Sequence, residues 1–149
     1  MKMLSVISPM DLALVDPRIG KDVENRAWKN ASGLQGQARR LIGQRLAIHA
    51  SKKYDGRYAG MIRRLTGIDL PKDHTSPGCI VGVVTVADFT DWSSSRWFVD
   101  DGEQLALSVR DPIRLPEPIA CVGGLGFREV PTAEFNWLKD QLLFQGVML

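Results

Sequence analysis

Cysteine is scarce in this chain of 149 residues: Cys79 and Cys121 are the only two, they sit in separate apolar segments, and no C-x-x-C spacing joins them. That speaks against a disulfide framework or a zinc site and leaves two free, buried thiols as the expectation. Histidine is equally rare, with His49 and His74 alone, and no metal-ligand spacing surrounds either. No metal and no cofactor is expected. There is no apolar run long enough to cross a bilayer. The first nine residues carry one lysine, a short apolar stretch and an early proline, too little for a secretory signal, so a cytoplasmic location without a membrane partner is expected. Internal repeats, low-complexity tracts and heptad seams are also missing.

What is present is ordinary in amount and uneven in distribution. A chain of this length is read as one domain, residues 1–149, which buries roughly 68–70% of the surface its unfolded form exposes. Apolar residues make up 44% and charged residues 24%, the balance of a soluble globular protein. The net charge of +2 hides an asymmetry. Within residues 30–68 lie Arg39, Arg40, Arg45, Lys52, Lys53, Arg57, Arg63 and Arg64 against the single acid Asp55, while the rest of the chain is net acidic. One positive face would attract a polyanion in a salt-dependent way; a solvated basic helix is the alternative.

The stretch Gly20-Lys21-Asp22-Val23-Glu24-Asn25-Arg26-Ala27-Trp28 alternates charge with neutral residues at a spacing no amphipathic helix uses. Read as a strand, residues 22–28 put Glu24, Arg26 and Trp28 on one face and Val23, Asn25 and Ala27 on the other. Such a strand is either a solvated edge with a surface ion pair, worth little to stability, or the lining of a cleft.

Along the rest of the chain, residues 3–9 predict a strand, with Ser8-Pro9 as N-cap and first residue of a short helix that Pro17 and Gly20 end. Residues 29–43 are polar and glycine-containing, and predict a long loop. Residues 45–51 alternate as a strand that places His49 among small residues, and residues 52–66 carry a helical stripe of Tyr54, Tyr58, Met61, Ile62 and Leu65, with Gly67 as the C-terminal cap. The nearly continuous apolar run of residues 79–89 predicts the central strand. Residues 104–109 predict another strand, residues 111–118 an extended linker, residues 127–130 a strand, and residues from Thr132 onward a last helix with Thr132 as N-cap. Gly123-Gly124-Leu125-Gly126 lacks the Lys-Ser/Thr and the helix that a phosphate-binding loop needs.

Lys21-x-x-Glu24-x-Arg26 resembles most of the G-x-K-x-x-E-x-R signature of the ASCH (activating signal cointegrator homology) domain, a PUA-like β-barrel family associated with RNA. Trp28 fits as well, since bacterial members often read E-N-R-x-W. The first glycine is replaced by Ile19, with Gly20 directly before the lysine. Further blocks, at residues 3–9, 46–53, 78–84, 97–98, 115–119 and 123–131, resemble the family in order and spacing. The resemblance implies an α+β fold, a PUA-like small mixed β-barrel with short flanking helices. It also implies a cleft lined by Lys21, Glu24, Arg26 and Trp28, with His49 and Trp97 as neighbours and Lys52, Lys53 and Arg57 as a basic flank. The partner so implied is RNA, another single-stranded nucleic acid, or a modified nucleotide. Two other readings stay open. Relatives that look like amidohydrolases of acetylated cytidine use a threonine where this chain has Glu24; a ribonuclease would use Lys21, Glu24 and His49 as catalytic groups if they converge. A protein-interaction module is the third class.

Overall fold

The near-unbroken apolar run at residues 79–89 needs cover on both faces, and in the computed structural model, which describes residues 1–149, it receives it. In chain order the elements are β1 (Lys2–Ser8), α1 (Met10–Val15), β2 (Val23–Arg26), α2 (Ser32–Arg40), β3 (Arg45–Tyr54), α3 (Gly56–Thr66), a 3-10 turn (Lys72–His74), β4 (Cys79–Thr90), β5 (Leu105–Ala120), β6 (Phe127–Glu129) and α4 (Thr132–Phe144). The six strands form one sheet in the order β2-β5-β4-β3-β1-β6. Only β1 and β3 run parallel; every other neighbouring pair is antiparallel. The fold is therefore α+β with a mixed sheet.

Alternation sorts the side chains into two cores. Leu4, Val6, Leu46, Ile48, Val84 and Val86 face one side with α1, while Met3, Ala47, Ile80 and Val83 face the other with Leu138 and Leu142 of α4. α1 lies so close to the sheet at Gly82 that a Cβ there would stand 2.7 Å from the Val15 Cβ and 2.3 Å from the Ile113 carbonyl oxygen. A glycine in the middle of the central strand is thus a consequence of close packing.

The expected closed barrel is corrected: β2 and β6 end the sheet on opposite sides and share no backbone pairing. Side chains bring these ends together instead. Arg26 of β2 donates to the Ser5 carbonyl of β1 at 2.9 Å, and Trp28, just past β2, packs edge-on against Phe127 of β6 with ring centroids 5.4 Å apart.

Four local expectations also change. Residues 29–43 contain α2, because Leu34, Ala38 and Leu41, spaced four and three apart, supply an apolar stripe onto the core that the intervening glycines and glutamines obscure. Lys52 and Lys53 extend β3, and α3 starts only after Asp55, whose carboxylate accepts from the Arg57 N–H as an N-cap. Gly67, at φ 75°, caps the helix as expected. Residues 111–118 are strand: β2 pairs with β5 only as far as Ser108, so Pro112, Pro116 and Pro118 fall where β5 has a partner on one side alone. Pro9 and Pro131, with no side-chain cap bond, stand at the N-cap positions expected for Ser8 and Thr132, and the Ser8–Pro9 bond is cis.

After α1, Asp16 ties its end to the sheet. Its carboxylate accepts from Arg18 at 2.7 Å and from Arg114 of β5 at 3.0 Å. The Arg18 guanidinium hydrogen bond, helped by the Arg18 N–H and Arg114, outweighs burial and holds the Asp16 carboxyl down at about 2. A depressed folded-state pKa means stability that is complete above the ordinary aspartate value of about 4 and lost as pH falls through about 2. Urea unfolding between those pH values should therefore show a shallower acid loss in Asp16→Asn than in the wild type; equal slopes would remove Asp16 from that role.

Candidate nucleotide-binding cleft

Gly20, at φ 70°, turns the chain after α1 and the Lys21 N–H donates to the Ala13 carbonyl at 3.0 Å, so the motif begins pinned to the helix. The Lys21 side chain is only 1% exposed; its Nζ donates to the Val23 carbonyl at 2.5 Å and to Glu24 Oε1 at 2.7 Å. Glu24 Oε2 accepts from Arg26 Nη2 at 2.9 Å. Glu24 and Arg26 share a strand face, as the period of two requires, while Lys21 reaches them from before the strand. The result is a continuous polar chain from Lys21 through Glu24 and Arg26 to the Ser5 carbonyl. Burial raises the Glu24 carboxyl pKa, but the Lys21 and Arg26 charges outweigh burial and leave it below the usual glutamate range. At the end of this chain Arg26 Nε is buried with no acceptor.

Above these groups lies a cleft of about 390 Å³, within the size range of small-molecule sites. β6 pairs only with residues 2–4 of β1, so β1 loses its outer neighbour at Ser5, and Ser5, Val6 and Ile7 form one wall. Tyr58 and Met61 of α3 form a second, and Val99, Asp101 and Gln104 of the connection before β5 a third. Asn25 also lines the cleft, yet its amide is already used: it donates to the Trp97 carbonyl and accepts from the Val99 N–H, fastening that connection down.

Of the sequence-derived site residues, Lys21, Glu24 and Arg26 converge on the cleft. Trp28 does not line it; the ring is half-buried against Phe89 and Phe127, with Arg26 Cζ 5.6 Å from its centroid. Trp97 is 1% exposed in the core. His49 is buried behind Ser5, hydrogen-bonded to Ser5 Oγ at 2.9 Å and to the Cys121 carbonyl at 2.7 Å, and makes no bond to Lys21 or Glu24. Lys52, Lys53 and Arg57 are exposed, with Arg57 paired to Asp55 at 2.7 Å and the two lysines unpaired. The wall residues Ser5, Tyr58 and Gln104 escaped sequence reasoning. Tyr58 sits in the apolar stripe of α3 and reads as core; only its three-residue spacing to Met61 marks the shared face.

No protein-family profile matches the chain, and no curated protein matches it. Among solved structures it is similar to the crystal structure of ASCH from Zymomonas mobilis, at 14% identity over 91% of this chain and 90% of that one, with a TM-score of 0.48. Two mutant proteins of that ASCH are similar to it at 15% and 14% identity, with TM-scores of 0.48 and 0.49 over at least 92% of each chain.

Two outcomes test this geometry. Glu24→Gln strips the buried Lys21 ammonium of its counter-charge and should cost about 3–5 kcal/mol in denaturant unfolding, and adding Lys21→Met should restore part of that loss. Additive costs would contradict the pairing. Trp28→Ala should lower stability by roughly 2–3 kcal/mol, somewhat under the cost of a fully buried ring, and leave ligand affinity within a few-fold.

Proposed function

We propose that the cleft binds a nucleotide, free or as an unpaired nucleotide of single-stranded RNA. The carrying observation is the Arg26 guanidinium, which lines an open cleft and spends only Nη2 on protein acceptors. A charge-assisted hydrogen bond from this guanidinium to a phosphate oxygen in the cleft is worth roughly 1.5–3 kcal/mol. Lys21 and Glu24 hold Arg26 in place and neutralise each other, so the chain of three groups keeps one positive charge for a phosphate. The Tyr58 ring offers a surface for a base, and the Gln104 amide offers both a donor and an acceptor to its edge. Lys52 and Lys53 follow directly on Ser51, which lines the cleft, so a strand leaving it meets free cations.

This reading moves the stacking role from Trp28 to Tyr58 and gives Glu24 a positioning task in place of base recognition. The hydrolase alternatives are less well supported. Glu24 stands where an acetylcytidine amidohydrolase has its threonine, and His49 does not meet Lys21 and Glu24 as the ribonuclease arrangement requires.

Titration calorimetry with nucleoside monophosphates and short single-stranded RNAs tests the proposal. Arg26→Ala should weaken binding about 10- to 100-fold, the worth of a charge-assisted hydrogen bond. Replacing Lys52 and Lys53 should reduce the slope of log affinity against log salt by about 0.7 for every phosphate that is no longer neutralised. Unchanged affinity in Arg26→Ala, or capture of an acidic peptide with no nucleotide affinity, would overturn it.

A further inference from the structure

Ser5 lines the cleft, and behind it stands a second constellation that nucleotide binding does not use. His49 Nε2 lies 2.7 Å from the Cys121 carbonyl oxygen. A carbonyl oxygen can only accept, so Nε2 carries the proton and the neutral ring presents Nδ1 as an acceptor. Ser5 Oγ lies 2.9 Å from that Nδ1 and donates to it. The fold thus holds one imidazole tautomer, buried and 3% exposed, against the hydroxyl of a serine at the wall of an open cleft.

The glycine-rich loop that cannot cradle a phosphate passes directly over this pair. A Cβ on Gly123 would stand 2.4 Å from His49 Cε1 and 2.5 Å from Ser5 Oγ, so only glycine lets the main chain approach so closely. The next N–H, that of Gly124, is directed at Ser5 Oγ from 3.4 Å. A serine hydroxyl, a base oriented by a third group, and a main-chain donor beside the oxygen are the parts of an acyl-transfer site.

We propose that Ser5 is a nucleophile and His49 its general base, and that the substrate class is a carboxylic ester whose alcohol half occupies the cleft. This rests on the reading of the cleft as the ligand site, because Ser5 lines it. In the first step Ser5 Oγ bonds to the ester carbonyl carbon as its proton passes to His49 Nδ1. The Gly124 N–H donates to the developing oxyanion. Collapse breaks the bond to the alcohol oxygen, which leaves with the proton from His49. Water then attacks the acyl-serine, giving its proton to His49; the acid departs, and Ser5 Oγ regains a proton. The sum is ester plus water giving acid plus alcohol, with no other reactant. The imidazolium formed on the way is held at Nε2–H by the Cys121 carbonyl, a weaker partner than a carboxylate.

A biotinylated fluorophosphonate, with intact mass and peptide mapping, tests the nucleophile on the full chain. One adduct on Ser5 is expected in the wild type and none in Ser5→Ala, a change that removes one oxygen and preserves packing. His49→Gln should slow labelling about 100-fold or more. No adduct on the wild type, an adduct elsewhere, or labelling that survives Ser5→Ala would overturn the proposal. Adenosine 5′-monophosphate titrated into the wild type separates the two readings: binding without labelling of the same protein removes the nucleophile alone, and labelling without binding removes the nucleotide.

Discussion

A buried lysine with one acidic partner organises this molecule. Lys21 cannot reach water, so it must keep Glu24; Glu24, shared with Arg26, fixes the guanidinium; and Arg26 then reaches the Ser5 carbonyl on a strand that the sheet order places far from its own. The ion pairs themselves contribute little net stability, because desolvation offsets most of their attraction. What they contribute is position. The two ends of an open sheet are joined by side chains, and side chains, unlike a backbone ladder, leave a gap between them. That gap is the cleft.

The same seam explains where the reactive groups lie. β6 is only three residues long, so β1 is paired on its outer side at residues 2–4 and bare from Ser5 onward. Ser5 is therefore at once the last wall residue before the covered part of the sheet, the main-chain anchor of Arg26 through its carbonyl, and the side-chain partner of His49. Ligand affinity and chemistry at Ser5 are distinct properties of one short exposed edge.

Much of this was legible in the residues. The period of two in the motif put Glu24 and Arg26 on one face, and the apolar run of residues 79–89 marked the central strand, because both signals are local and both survive burial. The barrel was not, since closure depends on whether the end strands pair across the whole chain. Extending the motif strand two residues too far puts Trp28 in the cleft; β2 stops at Arg26 and the ring turns toward Phe89 and Phe127. Lys52 and Lys53 look helical in sequence because their neighbours carry a helical stripe, while the capping carboxylate of Asp55 decides the boundary. The Ser5–His49 contact spans 44 residues between parallel strands, and a single serine in an apolar strand gives no sequence signal at all.

The central claim is that the Arg26 guanidinium takes an anionic oxygen in the cleft, and a crystal structure of the protein with a nucleoside 5′-monophosphate tests it most directly. The expected result is a phosphate oxygen within hydrogen-bond distance of the Arg26 guanidinium, the base against Tyr58, and the Lys21–Glu24 pair unmoved. A nucleotide bound elsewhere on the surface, with no phosphate oxygen on the Arg26 guanidinium, would contradict it.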